Sequence, residues 1–168
     1  FRSPENIISE VEYVHKNLGI NEIFFQDDTM NLNRNWFYKV CDLIIERGLD
    51  KLSYKAPFRV NAKLVDEELL AKAKRAGFWI IFYGVESGNQ EILDKVKKGT
   101  TIEEIKRAFR LTQDAGIRTI AAFMVGNFGE NHSSINDSIA LAKELRPDSW
   151  GFSIATPLPG TEFHDIAR

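Results

Sequence analysis

Strand-like and helix-period segments alternate along this chain at intervals of about 30 residues. That alternation constrains the fold more than any other feature. Ser3-Pro4 reads as a helix cap with proline at the first position, and Ile7, Val11, Val14 and Leu18 form an apolar row that Gly19 closes. A short apolar run over 22–26 then ends in Asp27-Asp28. A second helix is predicted over 33–47, with Gly48 as its stop, followed by a strand-like segment at 51–54. Asp66 caps a third helix that Gly77 ends, and Phe78 to Tyr83 is a continuous apolar run suited to a strand buried on both faces. A short helix near 90–96 comes next, then a longer one opened by the capping-box pattern Thr101 to Glu104. A strand over 118–125, a helix carrying Ile135, Ile139, Ala142 and Leu145, a strand over 150–155 and a cap at Thr161 complete the series.

Such spacing implies parallel strands joined by right-handed helical crossovers. The sheet is then either a barrel or an open doubly wound sheet. The first element is a helix with no strand before it, so the alternation reads as cut at its front. The chain also opens on Phe1 without a methionine, which gives the expectation of a piece of a longer protein: one truncated domain over 1–168.

Composition narrows the chemistry. With 22 basic and 24 acidic side chains the net charge is −2, which gives no nucleic-acid or membrane signature. Cys41 is the single cysteine, which excludes an internal disulfide and any CxxC-type site from this chain alone. It sits in the apolar row of its helix and reads as a small buried hydrophobe. The absence of disulfides suits a reducing cytoplasm, and no apolar run approaches a membrane span. His15, His132 and His164 fall in no metal-ligand spacing. No GxGxxG follows a strand, no Walker loop is present, and Gly84-Val85-Glu86-Ser87-Gly88 lacks the central serine of a nucleophile elbow.

Parallel α/β sheets bind ligands at the carboxyl ends of their strands. The residues there are Gln26, Asp27, Asp28 and Thr29; Arg59 and Asn61; Gly84, Glu86, Ser87 and Gly88; Gly126, Asn127, Gly129 and Glu130; and Thr156 to Gly160. Each loop taken alone also reads as an ordinary turn or helix cap. Converging on one rim, they read as a site. Asp27, Asp28 and Glu86 would also serve a divalent cation, which leaves a metal-dependent barrel enzyme open. A non-catalytic barrel that binds a ligand or partner is the other alternative.

At this rim the chain resembles the core of radical S-adenosylmethionine enzymes, most of all the subgroup that carries a cobalamin-binding domain. Five segments bear the resemblance: Arg2 to Asn6; Ile23 to Asp28; Tyr83 to Gly88 with Gln90 to Leu93; Phe123 to Gly126 with Gly129-Glu130; and Thr156 to Thr161. Asn127-Phe128 departs from the commoner leucine–proline of the fourth of these.

The resemblance implies an α/β fold, a partial parallel barrel of TIM-like type representing strands two to six of six. It implies a CxxxCxxC loop, upstream of these residues, that holds a 4Fe–4S cluster. S-adenosylmethionine on that cluster is reductively cleaved to a 5′-deoxyadenosyl radical. By the same resemblance, Asp27 and Asp28 would meet the cofactor's amino group, Arg59 its carboxylate, and Glu86 and Ser87 its ribose. Val125, Gly126 and Asn127 would flank the adenine together with Ala155 and Thr156, while Phe25 or Tyr83 would pack the barrel. Cobalamin in a separate domain is the further cofactor implied. No metal ligand is expected within this chain, since three thiolates are required and one cysteine is present. The 168 residues are therefore expected to hold no cluster, to bind S-adenosylmethionine only weakly, to be inactive alone, and to self-associate through an uncovered sheet edge.

Overall fold

The computed structural model describes residues 2–167. The strands are β1 (Glu22–Phe24), β2 (Ser53–Phe58), β3 (Phe78–Glu86), β4 (Arg118–Val125) and β5 (Ser149–Ile154). The helices are α1 (Pro4–Leu18), α2 (Arg34–Glu46), α3 (Glu67–Arg75), α4 (Gln90–Lys95), α5 (Ile102–Asp114), α6 (His132–Leu145) and α7 (Glu162–Ala167). All four pairings are parallel and the strand order is β1-β2-β3-β4-β5. A doubly wound sheet reverses its order at a switch point. This one never does, so the choice left open by the sequence resolves to a curled half-barrel with helices on its convex side.

Local chemistry sets the ends of the elements. Ser3 Oγ accepts the Asn6 N–H ahead of Pro4, and Gly19 leaves α1 in the left-handed region at φ 67°. Asp66 accepts the Leu69 N–H, and its carboxylate also pairs with Arg34 of α2. Burial opposes ionisation of Asp66, but the bonds from Arg34 and the Leu69 N–H hold its carboxyl below the usual range. Thr101 and Glu104 form the expected capping box at α5.

The core lies between the convex face of the sheet and the helices. Phe37 of α2 packs edge-on to Phe58 at 5.3 Å and to Phe78 at 5.5 Å between ring centroids. Tyr83 is fully buried, 5.1 Å from Phe109 of α5, and its hydroxyl is 2.8 Å from Thr112 Oγ1. Cys41 is fully buried in α2, and burial pushes its thiol up to about 12.

β1 ends at Phe24 rather than 26, and two further strands differ from expectation. β2 covers 53–58 rather than 51–54, and so includes Pro57. Lys55 O accepts the Phe25 N–H and Pro57 O accepts the Met30 N–H, so both residues direct their backbone groups toward β1. β1 has already ended at Phe24, and the missing proline N–H therefore breaks no ladder bond. β3 runs three residues beyond Tyr83 to Glu86, with a register shift between Gly84 and Glu86. Among the described residues no helix is long and apolar enough to cross a membrane.

Candidate active site at the strand ends

The carboxyl ends of β1, β2 and β3 open into a cavity of about 440 Å³ lined by Asp28, Thr29, Pro57, Phe58, Arg59, Gly84, Glu86 and Val96 to Lys98. Glu86 holds φ at 65°, a left-handed conformation that costs a non-glycine residue about 1–2 kcal/mol. This turn brings its carboxylate to the Lys98 ammonium, with Oε1 and Nζ 2.8 Å apart and both side chains half-buried. Gly84 makes room for the pair: a Cβ there would lie 2.6 Å from Glu86 Oε1 and 2.9 Å from Lys98 Nζ. Arg59 donates from Nη2 to the Lys98 carbonyl at 2.7 Å, which ties the end of β2 to the segment after α4. The fully buried Asn31 fixes Arg59 in turn: Nδ2 donates to Arg59 O at 3.0 Å, and Oδ1 accepts the Arg59 N–H at 2.9 Å.

The cavity thus presents charges of both signs on a rigid backbone. Asp28 and Glu86 supply anionic oxygens, while Arg59, Lys97 and Lys98 supply donors. This set suits a zwitterionic amino-acid moiety joined to a hydroxylated ring.

Val96 and Lys97 also line a second cavity, of about 330 Å³, walled by Met124, Asn127, Phe128 and Phe163. Here the β4 and β5 loops meet, since Ala155 N–H donates to Val125 O at 2.8 Å. Gly126, at φ 87°, and Asn127 both direct their N–H groups to Glu130 Oε2, at 2.5 and 3.1 Å. Asn127 is buried and its Nδ2 donates to Met124 O, whereas Thr156 is exposed.

The ten sequence candidates therefore separate. Asp28, Arg59 and Glu86 share one cavity and Asn127 lines the neighbouring one, whereas Val125, Gly126, Ala155 and Thr156 are not among the residues lining either. Asp27 lies elsewhere, in a groove of about 540 Å³ along α1 and the open edge of β1. Ser87 is fully buried; its Oγ accepts the Asn89 N–H and sits 3.3 Å from Ser138 Oγ, so it fastens the turn to α6. Lys98 and Asn31 were not found in the sequence. Lys98 follows a short helix and precedes Gly99, where a cation reads as an ordinary helix end.

The divalent-cation reading requires correction. Asp27 faces a different groove from Asp28 and Glu86, and Lys98 already neutralises Glu86. Among the described residues no group of three histidine, cysteine or carboxylate side chains is placed to hold a metal. An iron–sulfur cluster does not fit this chain's own residues either, because the only thiol, Cys41, is buried on the core side of α2.

Comparison with known proteins bears on the family and the fold. An uncharacterized methyltransferase of Pyrococcus horikoshii is 33% identical over 98% of this chain and 35% of its own length. The anaerobic magnesium-protoporphyrin IX monomethyl ester cyclase of Cereibacter sphaeroides is 34% identical over 99% of this chain and 28% of its own. The chain thus spans about a third of the curated relatives it matches. The solved radical S-adenosylmethionine methyltransferase TsrM of Kitasatospora setae, with cobalamin and a [4Fe-4S] cluster bound, superposes with a TM-score of 0.83 at 23% identity, covering 94% of this chain and 30% of TsrM. The Radical SAM superfamily profile matches residues 1–142, and the chain belongs to that superfamily.

Proposed function

We propose that these residues form the cofactor-holding part of a radical S-adenosylmethionine enzyme, with S-adenosylmethionine bound across the two cavities that meet at Val96 and Lys97. The observation that carries this reading is the Glu86–Lys98 pair, held by a strained backbone beside a glycine that leaves it space. Asp28 faces the cofactor's ammonium, Arg59 and Lys98 its carboxylate, and Glu86 its ribose hydroxyls. The backbone at Val125, Gly126 and Asn127, with Ala155 and Thr156, flanks the adenine. Asn31 and Ser87 position these groups without touching the ligand. When bound, the cofactor supplies a methyl group or, on reductive cleavage, the radical that abstracts hydrogen.

The thiolates that hold a 4Fe–4S cluster come from outside these 168 residues, which alone are inactive. Cobalamin use and a methyl-transfer or cyclase-type reaction are supported by the names of the relatives and by the likeness to TsrM. Titration calorimetry tests the site. S-adenosylmethionine binds the cluster-loaded full-length protein, and Glu86→Ala and Lys98→Ala each weaken it roughly tenfold or more, as expected for a charge-assisted bond. Wild-type affinity in both variants would place the cofactor elsewhere.

A further inference from the structure

Among the described helices α7 alone buries no side chain. Its side-chain hydrogen bonds return to the loop that leads into it. Thr161 Oγ1 donates to Leu158 O at 2.7 Å and accepts the His164 N–H at 3.2 Å, and His164 Nδ1 lies 3.1 Å from Pro157 O. Among the described residues, one polar contact ties 157–167 to the rest of the fold: the ion pair of Glu162 with Lys97.

Yet α7 walls the second cavity. Phe163 and Ile166 stand there with Val96 and Lys97 after α4, and with Met124 and Phe128 of β4 and its loop. Both walls keep apolar surface in water, since Ile166 is 46% exposed and Phe128 is 52% exposed. A closer seat of α7 on a filled cavity would bury that surface. Lys97 lines the first cavity as well. It holds φ at 55°, in the left-handed region that non-glycine residues seldom take, and its N–H donates to Asp94 O at 3.0 Å. The side chains of Lys97 and Glu162 are both largely exposed, and a pair of that kind is weak and screened by salt. The entry loop carries Pro157 and Pro159, whose rings fix φ. Gly160 follows at φ 85°, which makes it the point where the chain can pivot.

We propose that α7 is a strap over the second cavity, and that Glu162, acting through Lys97, holds it closed over bound S-adenosylmethionine. This rests on the cofactor reading above and adds how the same site retains its ligand. In the free protein one exposed ion pair holds the strap, so it opens readily. A ligand in the cavity gives Phe163 and Ile166 a surface to cover, and these added contacts favour the closed arrangement. Glu162 is a positioning residue: it sets where α7 lies, and Lys97 links that position to the first cavity.

The test uses the full-length protein loaded with its cluster, and its Glu162→Gln variant. Hydrogen exchange of the amides in 162–167 and the dissociation rate of S-adenosylmethionine are read on the same samples. The proposal expects ligand to slow exchange over 162–167 in wild type. It expects Glu162→Gln to speed dissociation roughly two- to fivefold, the range of an exposed ion pair. Added salt should speed release from wild type but not from the variant. The proposal is overturned if these amides exchange alike with and without ligand, or if dissociation and its salt dependence match in the two proteins. Should wild type bind no S-adenosylmethionine, the cofactor reading falls and the strap is judged on the free protein. Faster exchange over 162–167 in Glu162→Gln then keeps it, and equal exchange removes it.

Discussion

Gly84 and Gly88 lie four residues apart and answer different demands. A Cβ on Gly84 meets the ends of two flexible side chains, Glu86 and Lys98. A Cβ on Gly88 would sit 2.4 Å from Asp137 O and 2.6 Å from Ser138 Cα, which are helix backbone and cannot swing aside. The two alanine variants should therefore fail in different ways. Gly84→Ala folds with a denaturant midpoint near wild type but breaks the Glu86–Lys98 pair and loses cofactor affinity. Gly88→Ala forces α6 off the β3 turn and destabilises by about 2–3 kcal/mol. Urea denaturation and calorimetry on both proteins separate these outcomes, and equal destabilisation would remove the distinction.

At the scale of elements, the α5 cap joins local and tertiary order. Glu104 Oε2 accepts the Thr101 N–H at 2.9 Å, and Oε1 accepts the Ala62 N–H at 3.0 Å, which fastens the β2–α3 loop to α5. The bond from Ala62, with help from Thr101, holds the Glu104 carboxyl below its ordinary value of 4.5, although burial opposes this. A depressed folded pKa contributes stability above the unfolded value and loses it as pH falls through the folded one. Glu104→Gln should thus cost about 1 kcal/mol at pH 7, and the gap should close as the medium is acidified below about pH 4. Urea midpoints at neutral and acid pH check this, and a gap of constant size would show that charge is not involved.

Caps of this kind were legible in the sequence because their donors and acceptors lie within three residues of each other. Features that depend on distant partners were not. The apolar row of α6 included Ile139, which the fold leaves 40% exposed. Ser134 and Ser138 are buried instead, because Ser138 Oγ accepts the Gly88 N–H at 2.8 Å. The strand-end rule located Asp28, Arg59 and Glu86, since every parallel strand delivers its next residues to the rim. It could not tell Asp28 from Asp27, whose side chains a single step of backbone sends into different grooves. Lys98 escaped because its meaning comes from a carboxylate twelve residues earlier.

For the molecule as a whole, the sequential strand order leaves two edges. Among the described residues β1 pairs only with β2, and β5 only with β4. The convex sides of β2, β3 and β4 are covered by helices, whereas on β5 Trp150 is 59% exposed and Ile154 is 79% exposed. Unpaired backbone beside uncovered apolar side chains is the usual template for edge-to-edge association. The 168 residues in isolation are accordingly expected to form concentration-dependent oligomers through the β5 side. Trp150→Lys with Ile154→Lys places two cations on that edge without touching the core around Phe37 and Phe78. The double variant should sediment as a monomer where wild type does not, with the same circular dichroism. A wild-type chain that stays monomeric over a wide concentration range would show that the twist and shortness of β5 already protect the edge. An oligomer that survives both lysines would move the contact to β1, where Arg2, Glu10 and Glu22 already line the groove and salt would weaken it.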